Sequence, residues 1–220
     1  MTAIGKLRQT ALNCLRAAFC WFVRSSPDKG HLEVERKFII SAQEAVELSE
    51  RLRTFGFEFS KQVSMSDTFL PTSVAGEMMR VRNERSSGAS ACLVTFKQWV
   101  STPDGGKERQ ETEREIGWIS RSLLLFAGKL VNQGELLSFS KKRDLYLGNL
   151  AGRQAVVSID QVEGLGKYSG FYLEVEVLVP LHEDVTKAKE QIFDLVAQLF
   201  AKARQDVKQS YMDMLIKSKQ

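Results

Sequence analysis

Apolar and polar positions along this chain repeat with two periods, and the switches between them outline its elements. From Leu32 onward several stretches alternate residue by residue. Leu32, Val34 and Phe38 interleave with Glu33, Glu35 and Lys37, and Met79 and Val81 with Arg80 and Arg82. Val157 and Ile159 interleave with Ser158 and Asp160, and Leu173, Val175 and Val177 with Glu174 and Glu176. Neighbouring side chains on a strand point to opposite faces, so each stretch predicts a strand with one apolar and one charged face. Elsewhere apolar residues return every three or four positions, the spacing of one helix face. Ser41 with Glu44 spells a capping box and Gly56 supplies a stop, which predicts a helix between them. A second helix is predicted to start near Ser120 and to cover 123–130. A third begins at Asp184, with Val185, Ala188, Ile192, Leu195, Leu199 and Phe200 on its buried face. A short last helix is expected around Tyr211, Met214 and Leu215.

Residues 1–27 differ from the rest. Ile4, Leu7, Ala11, Leu15, Ala18 and Phe22 would share one helix face, and the first acid is Asp28. The pattern suits a mitochondrial presequence or a helix lying on a membrane surface, and equally an ordinary surface helix. The turn-forming residues at 25–30 read as a linker. The expected organisation is therefore a basic amphipathic extension and linker at 1–30 and a folded domain at 31–220.

Composition narrows the class. Hydrophobic residues make up 43% of the 220, enough for a sizeable core. Residues 1–30 hold five bases and one acid, whereas 31–220 hold 26 of each. A neutral body argues against a nucleic-acid coat protein, so any anion must be held by a local cluster of bases. Cys14, Cys20 and Cys92 show neither a disulfide framework nor metal-ligand spacing, which favours a reduced compartment. The expected location is cytoplasmic, or mitochondrial where 1–27 acts as a presequence. No apolar run approaches the roughly 20 residues that span a bilayer. Cys92 reads as a small core residue, Gly164-Leu165-Gly166 as a turn between strands, and Trp99 and Trp118 as residues flanking a tunnel mouth or packing.

The charged faces carry the chemistry. They could simply meet water, yet the charges cluster by sign within strands, as in Arg80/Arg82 and Glu174/Glu176. There are enough strands to close a barrel. Helices packed outside would take the apolar faces and leave the charged faces inside. Facing carboxylates repel unless a hard divalent cation lies between them. Grouped arginines and lysines repel unless an anion such as phosphate bridges them. A triphosphate with magnesium or manganese satisfies both.

The ordered motifs strengthen this reading. Glu33-x-Glu35-x-Lys37, Ser66-Asp67-Thr68-Phe69, Met79-Arg80-Val81-Arg82 and Thr95-Phe96-Lys97 follow one another. Arg109-Gln110-Glu111-Thr112-Glu113, Lys142-Arg143-Asp144-Leu145-Tyr146, Ile159-Asp160-Gln161-Val162 and Tyr172-Leu173-Glu174-Val175-Glu176 complete the series. Over about residues 31–216 the chain resembles the CYTH family of triphosphate tunnel metalloenzymes. The resemblance implies an α+β fold, an eight-stranded antiparallel barrel with helices packed outside. It implies metal-binding carboxylates at Glu33, Glu35, Glu113, Asp160, Glu174 and Glu176, with Glu111 and Glu113 in a charged run whose inward face is open. Phosphate contacts fall on Lys37, Arg80, Arg82, Lys97 and Arg143, with Arg109 either on phosphate or at the rim. Glu33, Glu35 and Lys37 are the expected catalytic residues.

The implied activity is divalent-metal-dependent hydrolysis of inorganic triphosphate, thiamine triphosphate or a nucleoside triphosphate. The implied partner is that small molecule rather than nucleic acid, and the N-terminal helix is a candidate for membrane contact. The ending Ser210-Tyr211-Met212-Asp213-Met214-Leu215 also resembles the tail of class IV adenylyl cyclases, as does Gly164-Leu165-Gly166, so cyclisation of ATP to cyclic AMP is the alternative. A non-catalytic polyphosphate-binding module is the third.

Overall fold

A computed structural model describes residues 31–72, 77–101, 107–132, 134–180 and 183–220, with Thr10, Ala11 and Asn13; the side chains of 31, 99–101 and 107–110 fall outside that description. The expected N-terminal helix and the linker at 25–30 lie outside the described residues, apart from those three positions.

Eight antiparallel strands close into a barrel in the order β1-β5-β4-β3-β2-β6-β7-β8. They are β1 (His31–Ile40), β2 (Glu58–Leu70), β3 (Met78–Ser86), β4 (Ala89–Ser101), β5 (Lys107–Glu115), β6 (Ser138–Leu150), β7 (Arg153–Glu163) and β8 (Gly170–Pro180). Among the described residues from 31 onward, four α-helices accompany them: α1 (Ala42–Thr54), α2 (Trp118–Val131), α3 (Val185–Phe200) and α4 (Tyr211–Ser218). The expected α+β barrel is present. Its closure is uneven among the described residues, where β1 pairs with β8 along ten residues and with β5 at Glu33 and Arg109.

The apolar faces turn outward because helices bury them. Leu32, Val34, Phe38, Val157, Leu173, Val175 and Val177 pack under Leu48 and Leu52 of α1 and under the Val185, Ala188, Ile192, Leu195 and Leu199 face of α3. On the other side, Leu70, Met79, Val81, Val94 and Phe96 pack under α2. Gly128 permits that approach: a Cβ there would stand 2.7 Å from Leu70 Cδ2. With water excluded from the outer faces, alternation leaves the charged residues inside.

The helix starts follow local sequence. Ser41 and Glu44 form the capping box of α1, Asp184 caps α3, and Ser210 with Asp213 forms a second capping box on α4. Helix α2 begins at Trp118, two residues earlier than expected, because Gly117 in extended conformation serves as its N-cap. Trp118, at the start of that helix, is 75% exposed. Cys92 is half-buried on β4 beside the cluster under α2, and the Gly164 turn links β7 to β8 with Leu165 fully buried.

After α3 the chain turns at Ala201, with φ 53°, and crosses the end of β1. There the Val207 amide donates to the Lys37 carbonyl at 2.7 Å, and Arg36 pairs with Asp206 at 3.6 Å. Helix α4 then closes one end of the barrel. Its Tyr211, Met214 and Leu215 pack with Phe69, Met78, Phe139, Leu165 and Tyr172.

Candidate active site

The inward faces enclose a cavity of about 490 Å³ lined by six bases and six glutamates. The bases are Lys37, Arg80, Arg82, Lys97, Lys141 and Arg143, and the acids are Glu33, Glu35, Glu111, Glu113, Glu174 and Glu176. Strand order distributes them. Glu174 and Glu176 stand on β8, and Arg80 and Arg82 stand on β3, four places away around the eight-strand ring and hence across the barrel.

Three ion-pair groups hold the lining. In the first, Asp67 is 1% exposed and accepts from Arg82 Nε at 2.7 Å and Nη2 at 2.9 Å, while Arg80 Nη1 lies 3.4 Å away. Burial would raise the Asp67 carboxyl, but Arg80 and Arg82 outweigh it and hold it below the usual carboxylate range. In the second, Lys97 Nζ stands 3.1 Å from Glu33, 3.8 Å from Glu35, and in contact with Glu111. Burial opposes its charge, yet Glu111, Glu33 and Glu35 together keep it firmly protonated.

The third group is the most buried. Asp160 is fully buried and accepts from Arg143 Nε and Nη2 at 2.6 Å, from Lys141 at 2.8 Å and from the Tyr211 hydroxyl at 3.1 Å. Glu174 contacts Arg143 and stands 3.2 Å from Lys37. Lys37 Nζ also lies 3.7 Å from the centre of the Tyr211 ring. Burial, with Arg143 beside it, pulls Lys141 down to about 8 despite Asp160 and Glu174.

One pairing in the lining is repulsive. Glu35 and Glu176 are direct cross-strand partners on β1 and β8, and like charges placed opposite destabilise a sheet. Burial, then Glu35, pushes Glu176 up to about 7. Glu33, two residues along β1 on the same face, is pushed well up by burial, an effect that Lys97 offsets only in part. This all-oxygen set suits a hard divalent cation such as magnesium or manganese. Among the described residues no three acidic, histidine or cysteine side chains are preassembled as a metal cage. Magnesium needs none, since it is commonly held by one or two carboxylates together with phosphate oxygens and water. The residues therefore fit such an ion.

The sequence model of the CYTH domain matches residues 31–211. The chain belongs to the CYTH domain family. Solved structures share the CYTH fold. The PH1819 protein of Pyrococcus horikoshii has a TM-score of 0.64 at 23% identity, covering 84% of this chain and 98% of that one. A conserved protein of Pyrococcus furiosus has a TM-score of 0.61 at 24% identity, covering 83% and 99%. The Hippeastrum protein HpAC1, an adenylyl cyclase candidate described as having a dominant triphosphatase activity, has a TM-score of 0.54 at 16% identity, covering 85% and 95%. A comparison with curated proteins finds no match.

Within this CYTH barrel the structure gathers Glu33, Glu35, Lys37, Arg80, Arg82, Lys97, Glu113, Arg143, Glu174 and Glu176 in one cavity. Glu111, whose facing was open from sequence, also points inward, against Lys97 and Arg80. Arg109 is the backbone partner of Glu33 at the thin seam, and its side chain lies outside the description. Two expected metal ligands stand differently: Asp160 sits behind the lining with both oxygens engaged, and Glu174 is occupied by Arg143 and Lys37. Sequence reasoning missed Asp67, Lys141 and Tyr211 as site residues. A second groove, about 730 Å³, runs beside the start of α2 past Ser64, Glu84, Ser90 and Arg121.

Proposed function

We propose that this tunnel hydrolyses a triphosphate with magnesium or manganese, residues 31–220 being the working unit and 1–30 an appended segment. The observation that carries the proposal is the pairing of the Glu35–Glu176 repulsion on one wall with the Arg80–Arg82 pair across the barrel. The two guanidiniums share one buried carboxylate, Asp67, and the two glutamates face one another, so a polyphosphate with a divalent cation would complete both sets.

Arg80, Arg82, Lys97 and Arg143 bind and align the phosphate chain. Arg80 brings an unused donor, since its Nε is buried with no acceptor among the described residues. Asp67 and Asp160 orient the guanidiniums and do not ligate the ion; Glu33, Glu35 and Glu176 are the carboxylates left to hold it, with Glu113 at the rim. A divalent cation, when bound, supplies charge stabilisation to the phosphoryl oxygens. Glu35, whose side chain is 30% exposed, reaches water and orients it in line with the terminal phosphorus. As the new P–O bond forms, the bond to the bridging oxygen breaks, the water proton passes to the carboxylate, and Lys37 meets the charge on the departing diphosphate.

The cyclase-like tail does not favour cyclisation. Ser210 and Asp213 are spent on the α4 capping box, and Tyr211 on Asp160. The aromatic rings at that end pack on one another, Phe69 stacked on Phe139 at 5.9 Å and Tyr211 tilted against Phe139 at 5.3 Å. The test incubates full-length protein and either metal with inorganic triphosphate, thiamine triphosphate or ATP. Orthophosphate release is expected, and the preferred substrate names the specificity. Cyclic AMP with pyrophosphate would overturn hydrolysis; tight triphosphate binding without turnover of any substrate would leave a binding module.

A further inference from the structure

Helix α2 is apolar on two sides, and only one of them is used by the barrel. Leu124, Leu125, Ala127 and Val131 face the β2–β4 wall, while Ile119, Leu123 and Phe126 are 57%, 64% and 63% exposed at helical spacing. Trp118 joins them at the N-terminal end. A helix that is apolar all round is normally covered on both sides, and a contiguous exposed patch marks a partner surface.

Three observations choose the partner. First, aromatic side chains cover about 150–250 Å² each, so this single-helix patch offers on the order of 500 Å². A stable pair of protein surfaces needs about 800 Å² per partner, which argues against a second copy. Second, α2 carries Arg121 and Lys129 and no acid, with Lys129 exposed. Third, residues 1–30 form the chain's other basic amphipathic segment, five bases to one acid. An anionic surface suits both segments. At 14 residues α2 is about 21 Å long, too short to cross a hydrocarbon layer of about 30 Å, so it would lie flat.

We propose that α2 seats the barrel on an anionic lipid surface, with Ile119, Leu123, Phe126 and Trp118 entering the boundary between headgroups and acyl chains and Lys129 at the level of the phosphates. The site is distinct from the tunnel and does not depend on what the tunnel hydrolyses.

Full-length protein is floated with vesicles of phosphatidylcholine alone and of phosphatidylcholine mixed with phosphatidylserine. Binding is expected to the mixed vesicles, weaker to the neutral ones, and lower in high salt. Leu123→Glu/Phe126→Glu lowers binding by about tenfold or more, without change in melting temperature or hydrolysis, because both side chains already face water. Should that variant fold poorly, Lys129→Glu reverses one exposed charge and still weakens binding about tenfold. The proposal is overturned when wild-type protein ignores the mixed vesicles, binds neutral ones equally, or binds them as well after the substitutions. It is also overturned when wild-type protein is a dimer that Leu123→Glu/Phe126→Glu makes monomeric.

Discussion

Replacing Glu176 with glutamine tests the cation side of the tunnel without asking for activity. Burial and the facing Glu35 lift the Glu176 carboxyl from its usual 4.5 to about 7. Above pH 7 the folded protein therefore holds that carboxylate ionised at a cost of about 3 kcal/mol, trimmed to about 2 kcal/mol because Glu176 keeps some contact with water. Its folded value is raised, so between pH 4.5 and 7 the folded state binds the extra proton. The favourable contribution is full below 4.5 and lost as pH rises through 7. Glu176→Gln has no charge to bury. In chelator at pH 8 it should melt about 4–8 °C above wild type, and the gain should fade by pH 4.5. Added magnesium or manganese should reverse the order, since the wild type gains metal-linked stability and the variant gains little. Equal melting in chelator at pH 8, or an advantage unchanged between the two pH values, would refute the reasoning.

Other perturbations separate support from chemistry. Arg82→Ala strands the buried Asp67 charge and should cost about 3–5 kcal/mol in chemical denaturation; a loss under about 1 kcal/mol contradicts the buried pair. Glu35→Ala relieves repulsion, so phosphate release should fall by about two orders of magnitude or more while the melting temperature holds or rises. Tyr211→Phe removes the hydroxyl donated to Asp160 and should cost about 1.5 kcal/mol, with a lower kcat and a nearly constant KM; an unchanged kcat would confine Tyr211 to packing. Chelation should abolish phosphate release, and either magnesium or manganese should restore it.

Much of this barrel can be read from alternation, because an outer wall covered by helices and an inner wall of charge leave opposite marks on every strand. The α3 face is an instance: all six residues expected on it are buried, and only Val196 is added. Local chemistry hides the remainder. In Lys141-Lys142-Arg143 three bases stand in a row, and composition does not say which two face inward. Parity would have found Lys141, since it lies two residues from Arg143 on the same face. Asp67 is a lone acid among Ser64, Ser66 and Thr68, and its value appears only when β3 brings two arginines against it. Tyr211 has the spacing of a core helix residue and is one. That its hydroxyl also reaches Asp160 depends on the strap after α3, which sequence does not place. Residue type alone also does not show a carboxylate's company: Asp160 and Glu174 look like Glu176, but their neighbours are guanidinium and ammonium groups.

Those neighbours imply that anion and cation sites are coupled. Lys97 holds Glu33 and Glu111 in place, and Lys37 and Arg143 hold Glu174. A triphosphate that draws Lys97 and Lys37 toward its oxygens removes their partners and leaves carboxylates facing one another unneutralised. A divalent cation beside the phosphates repairs the loss, so each ligand should tighten the other by the same factor, about 5–150-fold for coupling of this kind. The measurement is manganese affinity with and without a non-hydrolysable imido-triphosphate, corrected for manganese held by the analogue in solution. Lys97→Met removes the exchange at its centre, so its coupling should fall while Glu33 and Glu111 become harder to ionise. Equal manganese affinity in both conditions would mean that the two charge sets act separately, and that the tunnel's internal ion pairs are structural rather than stand-ins for its ligand.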